Sequence, residues 1–156
     1  MQRTITSFAV DELGEPVAQL DCGHPQHVRH QPPFQLRPWV TTAAGRASML
    51  GTNLDCLRCE RMEWPVDFVA YKKTPTFTAQ SVPAGLRRDH ATKRGVWARI
   101  VVLEGELRYR IPSLDVDEVL SPHKGGVVLP EVLHSVEPLG EVGFYVEFYR
   151  AAPAHT

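Results

Sequence analysis

The sequence has few cysteines, no long apolar run and no excess of either charge. Its 156 residues include 3 Cys, and 17 basic against 18 acidic residues leave a net charge of -1. A balanced charge argues against the basic surface that favours nucleic acid or an anionic membrane. No segment approaches the roughly 20 apolar residues of a membrane span, and the first residues lack the apolar run of a signal peptide. We therefore expect a cytoplasmic protein that binds neither a membrane nor nucleic acid.

The cysteines lie in two short motifs that contain typical metal ligands. One motif is DCGHPQHVRH, which has a cysteine and three histidines, and the other is the CxxC of LDCLRCE. Three thiolates and one imidazole form a tetrahedral zinc set, and an odd number of cysteines fits metal binding better than a disulfide framework. The predicted zinc ligands are Cys22, His24, Cys56 and Cys59, with His27 or His30 as alternatives to His24.

The chain divides into two halves of different character, which predict domains at 1–62 and 66–150. In the first half, two alternating runs predict a hairpin whose second strand leads into Cys22. A short helix that Thr41 or Thr42 could cap then leads to the CxxC. This half contains few large apolar residues, and a segment of this length rarely folds without a disulfide, a metal or another stabilising link. A structural zinc can provide the missing stability, so we predict a small α+β module stapled by zinc.

The second half predicts an antiparallel barrel or jelly roll. Short runs rich in Val, Ile, Leu and Tyr are separated by Gly and Pro turns, without a helical stretch between them. The predicted strands are Phe68–Tyr71, Val96–Leu103, Leu107–Ile111, Val119–Leu120, Gly126–Leu129, His134–Val136 and Val142–Tyr149.

Three strands or turns of this half contribute candidate ligands for a second metal. His90 precedes the strongest strand, His134 lies in LPEVLHSVEP and Glu147 in the last strand, while Glu131 is a possible fourth ligand. Two histidines and a carboxylate with open positions form a facial triad, which suits iron and is compatible with zinc or manganese. If Glu131 or Glu147 is not a ligand, it could serve as a general base.

The second half resembles the cupin superfamily. VWARIVVLEGELRYRI looks like the first cupin motif and LPEVLHSVEP like the second, and the stretch from YKKTPTFTAQ to FYVEFYR resembles a small cupin family described as similar to a tellurite-resistance protein. The resemblance implies a double-stranded β-helix barrel, commonly dimeric, with His90 and His134 as metal ligands. The usual HxH of the first motif reads His90-Ala91-Thr92, so Glu131 or Glu147 would have to replace one imidazole. The first half is similar to a short domain family of uncharacterised function that is found alone or fused to such cupins.

Two functions fit these residues. The first is a metal-binding cupin with a zinc module that handles a small molecule in stress or detoxification chemistry, with or without catalysis. The second is a non-catalytic sensor of a small anion or metal, which engages a partner protein through the zinc module. Arg29 and Arg37 could contact an anion through their guanidinium forks, and the loop from Gln31 to Trp39 could contact the partner.

Overall fold

The structure is a computed structural model that describes residues 1–153. The chain is mainly β and forms two compact units, Met1–Val66 and a second that begins at Asp67. None of the helices among the described residues has the length and apolar character needed to cross a membrane. The predicted bounds of 1–62 and 66–150 stay a proposal about where separate modules begin and end.

The first unit contains a small antiparallel sheet and two short helices. Its strands are β1 (Gln2–Val10), β2 (Pro16–Leu20), β3 (Pro25–His27) and β4 (Asn53–Asp55), in the spatial order β3-β2-β1-β4. Its helices are α1 (Ala43–Ser48), α2 (Leu57–Glu60) and a 3-10 turn at Pro38–Thr41.

Local signals explain how this unit folds. Alternation in the two long strands brings Ile5 opposite Leu20, and both side chains are buried. Asp11 closes the hairpin because its Oδ1 accepts backbone N–H bonds from Leu13 and Glu15, both 2.8 Å long. Of the two threonines that could cap α1, Thr42 does so by accepting from the Gly45 N–H at 3.0 Å.

The second unit is a single antiparallel sheet built around two long strands. Its strands are β5 (Phe68–Lys73), β6 (Phe77–Thr78), β7 (Trp97–Ile111), β8 (Val116–Leu120), β9 (Gly126–Val128) and β10 (Ser135–Ala151). The main order is β5-β10-β7-β8, with β6 beside β10 and β9 beside β7. Two 3-10 turns, Ala84–Arg87 and Pro112–Leu114, complete the unit. The jelly-roll closure that the cupin resemblance implies stays a prediction.

Each long strand is continuous where the sequence predicts two separate strands, so this part of the prediction is wrong. The predicted break at Gly105 lies inside β7, and the break before Val142 lies inside β10. Gly105 has a φ of 76°, and a Cβ there would lie 2.1 Å from the carbonyl oxygen of Glu141. Glycine lets the strand bend at this close approach, and the pairing shifts register between Pro138 and Val142.

The core of the second unit fills the inner face of this sheet. Alternate residues of β7 point inward, and large side chains such as Trp97, Tyr109 and Phe144 are almost fully buried. The Tyr109 hydroxyl donates to the Val127 carbonyl at 2.7 Å, which satisfies its polar end. Burial raises the pKa of Tyr109 well above its usual range.

Candidate metal centre

Four buried side chains of the first unit converge on one point. The sulfur atoms of Cys22, Cys56 and Cys59 and a ring nitrogen of His24 all lie within 4.8 Å of one another. Within residues 1–153 this is the one group of three or more His, Cys, Asp or Glu residues found with its ligand atoms so close together.

The edges of this group match a zinc tetrahedron. The Nδ1 atom of His24 lies 3.5 Å from Cys22 Sγ, 3.4 Å from Cys56 Sγ and 3.5 Å from Cys59 Sγ. The sulfurs of Cys22 and Cys56 are 3.9 Å apart. Zinc bonds of normal length at tetrahedral angles give edges of about 3.6 Å between N and S and about 3.8 Å between two S atoms. The four residues therefore surround a space of the size that zinc occupies.

Two tight turns bring the ligands together. Gly23 has a φ of 92°, so the chain reverses between Cys22 and His24 and directs both side chains to one side. Cys56 is the residue before α2 and Cys59 lies within it, which places both sulfurs of the CxxC next to each other. The sheet supports this arrangement because β1 pairs with both β2 and β4, the strands that lead into the two motifs.

The second ring nitrogen of His24 orients the imidazole. Its Nε2 lies 2.8 Å from the carbonyl oxygen of Glu63. Because a carbonyl only accepts, Nε2 carries a proton, and Nδ1 is the nitrogen that can bind a metal among the three sulfurs once it has lost its own proton. Metal-binding histidines typically make such a bond to a backbone carbonyl with the nitrogen that does not bind the metal.

A buried arginine completes the surroundings of the cluster. Arg3 is 4% exposed, and its Nε donates a hydrogen bond to Cys59 Sγ over 3.4 Å. Zinc with three thiolates and a neutral imidazole carries one net negative charge. The Arg3 guanidinium would cancel that charge, and a buried charge needs such a partner.

The protonation of the metal-free cluster follows from its crowding. Burial lowers the pKa of His24, but hydrogen bonds with Cys56 and Cys59 outweigh it and raise that pKa to about 9. Hydrogen bonds between the sulfurs raise the pKa of Cys22 and lower the pKa of Cys56. A divalent cation would favour the thiolate form of all three cysteines, so metal binding should release protons.

The structure brings neither of the alternative histidines into the cluster. His27 is exposed, and its Nε2 lies 3.2 Å from Asp11 Oδ2. His30 accepts the backbone N–H of Arg37 on its Nδ1 at 3.0 Å. Arg29, which we predicted to contact an anion, pairs with Glu15 at 3.0 Å. An anion contact by Arg29 and Arg37 stays a prediction.

The two histidines of the second unit lie side by side at an apolar pocket. His90 and His134 exchange two backbone hydrogen bonds of 2.8 Å, and their ring centroids are 5.4 Å apart. The pocket has a volume of about 40 Å³, and its other lining residues are apolar apart from Thr74 and Thr92. His134 Nδ1 lies 3.1 Å from the carbonyl oxygen of Val132, which leaves Nε2 of His134 able to accept a hydrogen bond or to bind a metal.

Both imidazoles have properties that suit a ligand. The Nδ1 atom of His90 is buried and has no hydrogen-bond partner among the described residues. Burial lowers the pKa of His134, and the neighbouring charge of His90 adds to this effect. His134 is therefore neutral at pH 7, the form that binds metals.

The structure does not bring the two predicted carboxylates to these histidines. Phe144, Val146 and Phe148 line the histidine pocket, so Glu147 lies on the opposite face of β10, where its Oε1 accepts from the Tyr149 hydroxyl at 2.6 Å. Glu131 is exposed and has a left-handed backbone, with a φ of 60°. Strand alternation is the physical reason for the position of Glu147, because the buried Phe144 fixes which face is inward.

Sequence reasoning missed Arg3 and the carbonyl of Glu63. The signal for Arg3 was present, because it alternates with Ile5 on the inward phase of β1 and both are buried. A charged residue at an inward strand position indicates a buried partner. The Glu63 carbonyl has no sequence signal, because any residue provides one.

Two family models match separate parts of the chain. Residues 6–63 match the family model of a protein of unknown function (DUF3565). Residues 72–146 match the model of the TehB-like domain.

Relatives with known sequences or structures resemble the second part. TehB of Haemophilus influenzae (strain KW20), a probable S-adenosyl-L-methionine-dependent methyltransferase, is 27% identical in an alignment 89 residues long. The alignment covers 51% of this chain and 31% of TehB. YeaR of Escherichia coli (strain K12) is 27% identical in an alignment 100 residues long, and the alignment covers 58% of this chain and 84% of YeaR. The crystal structure of Haemophilus influenzae TehB aligns with a TM-score of 0.51 at 26% identity, covering 55% of this chain and 32% of TehB.

A second solved structure, of a protein from E. coli (strain K12), aligns with a TM-score of 0.55 at 23% identity and covers 60% of this chain and 92% of that chain. This likeness concerns the fold alone. The chain spans about a third of the length of TehB. The N-terminal part of the chain is thus similar to DUF3565, and the C-terminal part is similar to the TehB-like domain.

Proposed function

We propose that the first unit is a zinc module in which Cys22, His24, Cys56 and Cys59 hold one structural zinc ion. The observation that carries this proposal is the equal spacing of His24 Nδ1 from the three sulfurs, at 3.4 to 3.5 Å. All four ligands come from the protein and all four are buried. A catalytic zinc keeps a position open for water or substrate, and a closed set of four ligands leaves none. Zinc therefore stabilises the fold of this unit.

Elemental analysis of the purified full chain tests the zinc module. We expect one tightly held zinc per chain at this site in the wild type and its loss in His24→Ala and Cys59→Ser. His27→Ala is the matched control, because His27 lies in the same motif but bonds to Asp11. If His27→Ala lost the zinc and His24→Ala kept it, our assignment of the ligands would be wrong.

For the second unit we propose a cupin-type double-stranded β-helix whose inner face binds a small molecule. The antiparallel sheet, the buried inner face of β7 and β10 and the pocket beside His90 and His134 support this proposal. A divalent metal, either iron, manganese or zinc, would bind the free nitrogens of the two histidines. Water or oxygen atoms of the ligand would fill the other positions, since Glu131 and Glu147 do not face the pocket. Such an open metal could act as a Lewis acid or activate water.

A matched pair of histidine variants tests this second site. His134→Ala should lose a second metal while it keeps the zinc of the first unit, and His123→Ala should keep both, because His123 is exposed. A wild type with one zinc that is unaffected by His134→Ala would leave a pocket that binds an organic ligand without a metal. In that case the enzyme hypothesis should be abandoned in favour of the binding module.

We do not extend the methyl transfer named for TehB to this chain. Every pairing between named strands in residues 1–153 is antiparallel. Folds that bind nucleotide cofactors at a glycine-rich turn use a parallel sheet with crossover helices. The part shared with TehB covers about a third of that protein. Handling of a small molecule in stress or detoxification chemistry is the function that we propose instead.

One observation favours the alternative of a binding module that engages a partner protein. Phe34 is 89% exposed and Leu36 is 72% exposed, both in the predicted recognition loop of the zinc module. Exposed apolar side chains that lie close together in one loop can mark a contact site for a partner protein. A pull-down with the wild type and with the double variant Phe34→Ser/Leu36→Ser tests this function. A protein retained by both baits would argue against the loop as the contact.

A further inference from the structure

A second pocket, on the outer face of the sheet, is lined by three arginines. We name it the arginine pocket; its lining residues are Arg87, Arg108, Arg110, Ser135, Val136 and Glu137. On β7 the two arginines alternate with the buried Leu107, Tyr109 and Ile111, so they point away from the core. The volume is about 200 Å³. Liquid water occupies about 30 Å³ per molecule, so the pocket has room for a small ion and its water.

The three arginines are not equally engaged by the protein. Arg108 forms two hydrogen bonds to Asp117, of 2.9 and 2.7 Å, in the fork geometry that guanidinium and carboxylate prefer. This pair raises the pKa of Arg108 and lowers the pKa of Asp117. Arg108 therefore holds Asp117 with two of its five N–H groups.

Arg110 has carboxylates near it, but neither is within hydrogen-bond distance. Its Nε lies 3.8 Å from Asp117 and its Nη2 lies 3.7 Å from Glu137. Among residues 1–153, the guanidinium of Arg87, that of Arg110 and the hydroxyl of Ser135 make no hydrogen bond. Ser135 is the cross-strand partner of Arg110, so their side chains share one face of the sheet. Unused donors thus converge on the same space.

The charge of the pocket is positive. Three guanidinium groups and the two carboxylates of Asp117 and Glu137 leave one net positive charge. Guanidinium groups bind planar or tetrahedral oxyanions with two parallel hydrogen bonds, which an ammonium cannot do. A serine hydroxyl beside them can donate a third bond to another oxygen. The net positive charge disfavours a cation, and Val136 is the one apolar side chain among the six lining residues.

From these observations we infer that the arginine pocket binds a small oxyanion through Arg87, Arg110 and Ser135. The ligand has at least two terminal oxygens, as in a phosphate, a sulfate or a carboxylate. This site is distinct from the histidine pocket, because the two lie on opposite faces of β10 and share only Val136. The inference is also independent of the zinc module, which lies in the other unit.

A titration of the zinc-loaded full chain tests this inference. The measurement follows the Nε–H resonances of the arginines and the amide of Ser135 in ¹⁵N-labelled protein, at constant ionic strength. The probes are phosphate, sulfate and acetate, each added alone. We expect saturable shifts at Arg87, Arg110 and Ser135 with at least one probe. Binding of phosphate and sulfate alone identifies a tetrahedral oxyanion, whereas binding of acetate identifies a carboxylate.

Single variants show which side chains bind. Arg87→Gln and Arg110→Gln should each weaken binding at least tenfold, and Ser135→Ala about threefold. Arg150→Gln is the matched control, because it removes the same charge from β10 at a position where Arg150 lies over the Tyr71 ring. Arg110→Lys keeps the positive charge and loses the two parallel N–H donors of the guanidinium, so it should weaken binding less than Arg110→Gln does. It replaces Arg110→Gln in the test if the glutamine variant does not fold.

Two results would overturn the inference. The first is a shift that stays linear with every probe, without saturation. The second is an equal loss of affinity in Arg150→Gln and Arg110→Gln, because that outcome would mean that only the overall charge of the unit matters.

Discussion

The two units reach stability by different routes. The second unit buries several large side chains in full, including Trp97, Tyr109 and Phe144. Ile5 and Val28 are the largest side chains that the first unit buries to the same degree, and its three cysteines are part of its core. In the first unit the centre of the fold is a cluster of metal ligands instead of an aromatic core. A short segment can therefore fold with little apolar burial if a metal joins its turns.

The largest expected difference between the two units is their response to removal of the metal. Apparent binding energies of structural zinc, about 10 to 16 kcal/mol in zinc-finger peptides, are also folding energies. We therefore expect a strong chelator to unfold the first unit, with loss of the dispersed NMR signals of residues 6–63. Signals of the second unit should persist because its core contains no cysteine. Zinc added back should restore the spectrum, and signals lost from both units together would contradict this separation.

A substitution in the core of the second unit should destabilise that unit and leave the zinc module unchanged. Phe144 is fully buried and packs edge-on against Phe77, with ring centroids 5.6 Å apart. Phe144→Ala should destabilise the second unit by about 3 to 5 kcal/mol, as measured by urea unfolding, while the zinc content stays at the level of the wild type. Phe34→Ala removes the same side chain at a position that is 89% exposed. We expect its effect to stay within about 0.5 kcal/mol.

Arg3 offers a finer test of how the zinc module depends on charge. Arg3→Gln removes the positive charge beside Cys59, and groups of this kind typically change metal affinity about 10- to 100-fold. Competition with a chromophoric chelator should show weaker zinc binding by that factor. Arg29→Gln is the control, because its ion pair with Glu15 is exposed and such pairs contribute about 0 to 1 kcal/mol. Equal affinities in all three proteins would mean that Arg3 only packs.

The smallest effect concerns an exposed pair of the second unit. Arg108 lowers the pKa of Asp117, so its stabilising contribution is present above the ordinary carboxyl pKa and is lost as pH falls through the lowered value. Carboxyl ¹³C NMR should therefore find a lower titration midpoint for Asp117 in the wild type than in Arg108→Gln. Arg110→Gln should move that midpoint less, because Arg110 lies 3.8 Å from Asp117.

The sequence indicates some of this arrangement because the chemistry of the residues is specific. Cys22 and the CxxC predict a zinc set wherever the chain places them, since few other roles use three thiolates and a histidine. Selection of His24 over His27 depends on the backbone turn at Gly23, which spacing alone does not fix.

Other features depend on tertiary packing. Alternation in the last strand allowed two orientations, and only the burial of Phe144 shows that Glu147 faces outward. The glycine at 105 reads as a turn in the sequence, whereas in the fold it lets one long strand bend. Convergence of Arg87 and Arg110 has no signal at all, because it joins residues from a 3-10 turn and a distant strand.

The ligand spacing also has a consequence for how the zinc module can vary. His24 and Cys56 are 32 residues apart, so a bound metal joins the two ends of the long segment between them. The entropy of closing a flexible loop grows slowly, by about 0.6 kcal/mol for each doubling of length. An insertion at the exposed Phe34, within this segment, should therefore leave the zinc site intact. Because Phe34 also belongs to the loop that we propose contacts a partner, an insertion there should remove that contact and leave zinc binding unchanged.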